Sequence, residues 1–179
     1  MNLIDRITGL HTHLSAAGIA HAFGGALALA WCTERARGTI DIDINVFVDA
    51  RKAELVYSAL PHEITVSDSD RENITRDGQT RLWWADTPVD VFFNTTQFHV
   101  EAASRARFED FAGASVPFLA CRDLAVFKAF FNRTKDWADL EEMSVAGSLD
   151  KQMVLGVLAD YLGADDERIE RLRSLPLEH

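Results

Sequence analysis

The chain is short of basic residues, of cysteine and of uninterrupted apolar sequence, and each shortage removes a class of protein. Lys and Arg number 18 against 28 Asp and Glu, for a formal net charge of −10. A domain that grips a nucleic-acid backbone without regard to sequence is usually basic, so tight non-specific DNA binding is not expected. No segment reaches the roughly 18 apolar residues a membrane span needs. The opening MNLIDRITGL carries Asp5 and Arg6 and no long apolar run, unlike a signal peptide. No membrane contact and a cytoplasmic location follow as expectations. The two cysteines, Cys32 and Cys121, lie far apart without metal-ligand spacing, which reads as two free thiols in a reducing compartment. Internal repeats and low-complexity linkers are missing too.

What is present is ordinary globular composition, 47% hydrophobic and 26% charged over 179 residues. That length supports one cored domain, with or without a small helical appendage. Leu3, Ile4, Ile7, Leu10 and Leu14 predict an amphipathic helix over 3–17 that Gly18 ends. A short strand from Ala20 to Phe23 runs into Gly24-Gly25, followed by a helix from Ala26 to Cys32. Asp41 to Val48 reads as a buried strand, and Asp49 as the N-cap of a helix over about 50–60 before Pro61. Residues 63–78 are polar and ambiguous. Two strands, Arg81 to Ala85 and Val89 to Phe93, flank Asp86, Thr87 and Pro88. A short helix near 97–106 and a hairpin around Gly113 follow, then helices near 122–132, 135–146, 150–162 and 165–174. Mixed elements first and helices afterwards predict an α+β fold: a mixed sheet with flanking helices over residues 1–120 and a helical bundle over 121–176. Residues 177–179, Leu-Glu-His, look like a tag remnant.

The stretch Thr39-Ile40-Asp41-Ile42-Asp43 carries the most chemistry. Alternate strand residues share a face, so Asp41 and Asp43 project together while Ile42 and Ile44 turn to core. Two carboxylates that close repel each other, and a divalent cation relieves the conflict; hard oxygen donors suit Mg²⁺, which completes its shell with water and phosphate. By itself Asp-x-Asp is weak, since a solvated strand face carries the same pattern. Gly24-Gly25 adds a backbone able to approach phosphate beside unpaired helix N–H groups, although a tight turn alone explains it. Asp90, between Val89 and Val91, is costly in an apolar strand unless paired or on metal. It completes a three-carboxylate site if its strand neighbours that of Asp41.

These pieces, in this order, resemble the nucleotidyltransferase-fold superfamily of the DNA polymerase beta type. The wording FGGALALAWCTERARGTIDIDINVF, with Arg37-Gly38-Thr39-Ile40-Asp41-Ile42-Asp43, looks most like its AbiEii/AbiGii toxin-like branch. Lys135-Asp136-Trp137-Ala138-Asp139 resembles that branch's Lys-Asp-x-x-Asp motif, and Lys128 falls where a lysine is often found one helix earlier. The resemblance implies an enzyme that moves NMP from an NTP to a hydroxyl acceptor, with two Mg²⁺ ions during turnover. The acceptor would be an RNA end, a protein or a small molecule. A cognate antitoxin is an implied partner. Asp41, Asp43 and Asp90 would be the catalytic, metal-holding acids. Gly24, Gly25 and Thr39 would meet the nucleotide, Lys128 and Lys135 the phosphates, and Asp136 and Asp139 would orient the lysines or acceptor. A non-catalytic nucleotide- or partner-binding protein on the same fold is the alternative.

Other candidates carry less. His11 and His13, two apart on a helix, point different ways and read as solvated; His21, His62 and His99 read as isolated structural histidines. Alternation turns one of Trp83 and Trp84 inward. Arg71, Arg76 and Arg81 offer either a basic rim or a solvated cluster. A haloacid-dehalogenase reading of Asp41-Ile42-Asp43 fails on the polar Arg37-Gly38-Thr39 before the pair and on Asn45 where Thr is wanted.

Overall fold

The computed structural model describes residues 1–176; the Leu-Glu-His ending lies outside them. Helix α1, Leu3–Ala16, starts at a capping box in which Asn2 accepts from the Asp5 N–H and Asp5 accepts from that of Asn2. Ile7, Leu10 and Leu14 are buried, whereas Ile4 stays 48% exposed at the flank of the stripe. The remaining elements are strand β1 (His21–Phe23), helix α2 (Gly25–Thr33), β2 (Ile42–Asp49), α3 (Ala53–Tyr57), α4 (Asp68–Asp77), β3 (Gln79–Trp84), β4 (Thr87–Asn94), α5 (Gln97–Ala102), β5 (Arg107–Phe111), β6 (Ala114–Phe118), α6 (Cys121–Phe131), α7 (Thr134–Val145), α8 (Lys151–Leu162) and α9 (Glu167–Ser174).

Contacts divide the described residues into two compact units, residues 1–27 with 38–119 and residues 28–37 with those from 120 onward. The first holds a six-stranded mixed sheet in the order β3-β4-β2-β1-β6-β5. β2 and β4 run parallel, whereas β1 is antiparallel to β2 and parallel to β6. Hairpins β3–β4 and β5–β6 form the two flanks. Ile42, Ile44 and Val46 of β2 and Val89, Val91 and Phe93 of β4 are all buried. The intervening residues of these strands therefore share the opposite face.

Several elements depart from the sequence reading. The polar stretch over 63–78 contains α4, fixed by a Ser67/Asp70 capping box and ended by Gly78 at φ +70. The helix after Asp49 is shorter than expected, one 3₁₀ turn over Ala50–Lys52 followed by α3. The β3–β4 turn is Ala85-Asp86, with Ala85 at φ +55, so Thr87 and Pro88 belong to β4. Phe93 N–H donates to Gly78 O at 2.8 Å, which makes the odd-numbered β4 positions the hydrogen-bonded ones toward β3. The Pro88 nitrogen therefore faces the β2 side, where pairing begins only at Val89. Its missing N–H costs no ladder bond.

The second unit contains α6 to α9 and the C-terminal part of α2. Asn132 closes α6 in the left-handed region at φ +57, so α6 and α7 are separate helices. The free-thiol expectation is wrong: Cys32 and Cys121 form a disulfide, because the fold brings the end of α2 to the first residue of α6. Sequence separation gave no sign of this, and the thiol argument for a reducing compartment goes with it. Among the described residues no helix is long and apolar enough to cross a membrane.

Candidate active site

The acids of the first unit are assembled by strand register. Asp43 and Asp90 are direct partners across parallel β2 and β4, and Asp90 is in turn the partner of Arg81 across β3. The row therefore reads Arg81, Asp90, Asp43 on the face opposite the apolar core. Asp90 lies at a non-hydrogen-bonded position toward β3, where paired side chains stand closest. Arg81 uses that proximity fully: its Nε donates to Asp90 Oδ1 and its Nη2 to Oδ2, both at 2.7 Å.

Asp41 precedes β2, which begins at Ile42. The pleat therefore does not set its direction. Thr39 Oγ1 donates to Asp41 Oδ1 at 2.6 Å, and Arg81 Nη2 lies 3.8 Å from Asp41 Oδ2, which places this carboxylate on the same face as the row. Arg81 is held above its ordinary pKa, first by the hydrogen bonds to Asp90 and then by the charges of Asp90, Asp41 and Asp43.

The glycine turn meets the same face. Gly24 N–H donates to Asp43 O at 2.9 Å, and α2 starts at Gly25. Gly25 has φ +51, and a Cβ there would lie 2.5 Å from Asp43 Cγ. Glycine is thus required twice, by the backbone conformation and by the carboxylate beside it. At Gly24 a Cβ would press on Asn45 Nδ2 and Leu119 Cδ1, each at 3.2 Å. The first N–H groups of α2 accordingly open next to Asp43.

The donor chemistry of Asp41, Asp43 and Asp90 fits a hard divalent cation, since all three offer carboxylate oxygen from one face. As the side chains stand, both Asp90 oxygens accept from Arg81, and among the described residues no cluster of three or more His, Cys, Asp or Glu is grouped so as to hold a metal ion. Arg81 entered the sequence reading only as part of a basic rim or a solvated cluster. The signal was the hairpin itself: counting back from a two-residue turn at 85–86 pairs 81 with 90, whereas a turn over 86–88 loses that register.

The remaining site candidates lie in the second unit. Lys128 is 6% exposed. Its Nζ donates to Asp139 Oδ2 at 2.6 Å and lies 3.8 Å from Asp136 Oδ1. Arg37 bonds the other Asp139 oxygen, and Arg133 Nε donates to Asp136 at 2.6 Å. Lys128, Asp136 and Asp139 are thus brought together as a buried charge network, whereas Lys135 is exposed on α7. Trp137 is buried and donates to Asn132 Oδ1 at 2.7 Å. Among the side residues, Trp84 is 4% and Trp83 53% exposed, as alternation requires. The histidine expectation is corrected: His11 Nδ1 and His21 Nε2 are 3.0 Å apart. His21 Nδ1 must donate to the Ile19 carbonyl at 2.8 Å, so its Nε2 accepts from His11.

This is the α+β fold of nucleotidyltransferases, with a mixed sheet, flanking helices and a helical C-terminal part. The solution structure of the antibiotic-resistance factor ANT(2'')-Ia is similar at TM-score 0.55 and 13% identity, over 96% of this chain and 89% of that one. The crystal structure of ANT(2'')-Ia in complex with adenylyl-2''-tobramycin matches at 0.55 and 14% identity, over 96% and 94%. An antigenic nucleotidyltransferase-like protein from Paracoccidioides brasiliensis matches at 0.50 and 13% identity, over 99% and 94%. No protein-family profile matches the chain, and no curated protein matches it in sequence.

Proposed function

We propose that the protein transfers a nucleoside monophosphate from an NTP to a hydroxyl group and releases pyrophosphate. The observation that carries this reading is the row of Asp43 and Asp90, with Asp41 beside it, against the Gly24-Gly25 turn at the start of α2. Asp41, Asp43 and Asp90 would hold Mg²⁺; when bound, the ion supplies neutralisation of phosphate charge and a lowered pKa for the attacking hydroxyl. The α2 N-terminus offers N–H donors to phosphate oxygens, with no side chain in the way at Gly25. The acceptor oxygen bonds to the α-phosphorus, the bond from that phosphorus to the β-phosphate oxygen breaks, and pyrophosphate carries away the electron pair. Asp90 stands as the carboxylate toward which the hydroxyl proton moves. Catalysis is then mainly positioning and electrostatic stabilisation. Lys135, exposed on α7, is a candidate phosphate ligand, whereas Lys128, Asp136 and Asp139 are held by one another in the α6–α7 network.

The acceptor is an RNA end, a protein side chain or a small molecule. A net charge of −10 favours a cationic small molecule over a polyanion, and the adenylylated tobramycin bound to one structural neighbour makes aminoglycosides the first acceptors to try. The AbiEii-like wording adds a toxin role, whose sign is growth arrest on expression relieved by the product of an adjacent gene. The direct test is incubation with labelled NTPs, Mg²⁺ and each acceptor class, comparing wild type with Asp41→Ala. Product in wild type alone supports the assignment, and equal product in both removes it. A second reading, nucleotide binding without turnover, is favoured by the Arg81 clasp on Asp90. Calorimetric binding of Mg-ATP with no product after long incubation selects it.

A further inference from the structure

We propose that Arg81 is a built-in counter-ion of the acid row, and that a divalent cation gains Asp90 only by displacing this guanidinium. The proposal rests on the reading of Asp41, Asp43 and Asp90 as the cation-binding acids, and goes beyond it by assigning the residue that controls access to the third.

Three observations carry it. Asp90 gives both of its oxygens to Arg81 at 2.7 Å, so the carboxylate has its strongest acceptor directions occupied by a bidentate, charge-assisted pair. Arg81 also lies 3.8 Å from Asp41 and feels the charge of Asp43; one cation thus stands in the field of all three acids. Finally, the two partners differ in freedom. The Asp90 side chain is 19% exposed and that of Arg81 49%. Asp90 sits on β4 between β3 and β2, while Arg81 sits on β3, at the end of the strand order. The guanidinium can swing into water on its flexible stem, where arginine is well solvated, while the carboxylate stays in place. An empty row of three carboxylates would repel itself. Arg81 offsets one of the three charges before a cation arrives and weakens cation binding by the same amount, because both compete for one carboxylate. The site is therefore built to take an ion together with a ligand that draws Arg81 away, for which the phosphates of the nucleotide are the natural anions.

The test is Mn²⁺ binding to the whole metal-free protein, read as free ion by electron paramagnetic resonance, with no turnover involved. Wild type, Asp41→Asn, Arg81→Met, Arg81→Lys and the Arg81→Met/Asp90→Asn double variant are compared. Asp41→Asn should bind Mn²⁺ more weakly than wild type. Arg81→Met should bind it about tenfold more tightly, the factor that freeing ~1.4 kcal/mol of a charge-assisted bond gives, and the gain should vanish in the double variant. Arg81→Lys, which keeps the charge but loses the fork, should gain less in the same direction, and serves if Arg81→Met fails to fold. Thermal unfolding gives a second readout: without ion Arg81→Met should melt below wild type, and saturating Mn²⁺ should remove that difference. Weakened binding in Asp41→Asn with no gain in either Arg81 variant overturns the counter-ion role alone. Wild type and Asp41→Asn behaving alike overturns the cation site, and the counter-ion role with it.

Discussion

Gly25 shows how one missing side chain shapes the candidate site. Its φ of +51 and the 2.5 Å that would separate a Cβ from Asp43 Cγ mean that Gly25→Ala strains the backbone and pushes an acid aside. The backbone part alone costs about 1–2 kcal/mol. Gly78 is a useful contrast, since its φ of +70 and its approach to Thr95 concern only the α4–β3 turn. Both Gly→Ala variants should lower the melting temperature, but only Gly25→Ala should also lose affinity for Mg-ATP, measured by calorimetry. Equal affinities in the two variants would remove the nucleotide role of the glycine turn. The need for glycine was legible in the sequence at 24–25; the need created by Asp43 was not, because that carboxylate arrives from another strand.

Elements carry two further consequences. The α6–α7 network buries Lys128, with an 8% exposed side chain, against Asp139 at 7%. Asp139→Ala leaves that ammonium without its nearest partner and Arg37 without its own, and should cost about 3–5 kcal/mol in urea unfolding. A loss below about 1 kcal/mol, the worth of an exposed pair, would mean water reaches the cluster. The disulfide joins the end of α2 to the start of α6 across a separation of 89 residues. Loop-closure entropy for such a span is about 4–5 kcal/mol, so reducing agent should lower the unfolding midpoint of wild type and leave Cys32→Ala/Cys121→Ala unchanged. At this scale the strands and helices were visible in apolar periodicity, since Ile42, Ile44 and Val46 or Leu124 and Phe127 report their burial directly. Helix α4 was hidden because Ile74 is the buried residue of an otherwise polar decapeptide, and its capping box at Ser67 and Asp70 was the remaining cue.

The molecule as a whole has a predictable response to pH. Burial lowers the pKa of His11 and His21, and that of His99 to about 4. The folded state therefore favours neutral imidazole, while the unfolded chain takes up protons near pH 6.5. Between about pH 6.5 and 4 these rings bind more protons in the unfolded state, so their contribution to stability falls as pH drops through that window and levels off below the folded values. Denaturant midpoints measured from pH 7.5 to 4 should follow this slope, and His99→Gln should flatten it. A flat profile in wild type would show that these rings are hydrated. The acidic composition predicts a weaker polyanion affinity, but gives no hint of this behaviour, because desolvation depends on which ring the fold covers.

The sequence by itself determined the order of the elements apart from α4, the α+β class, the glycine turn and the candidate acids, because apolar periodicity, backbone conformation and charge are local properties of neighbouring residues. Tertiary structure alone decided which of those residues meet. Register across β3, β4 and β2 put Arg81, Asp90 and Asp43 in one row, chain closure paired Cys32 with Cys121, and helix packing joined Lys128 to Asp139. Each pairing depends on distances between segments remote in the chain, which no local pattern encodes. The same separation explains why Asp90 was recognised as a costly acid in an apolar strand while its partner, Arg81, was not.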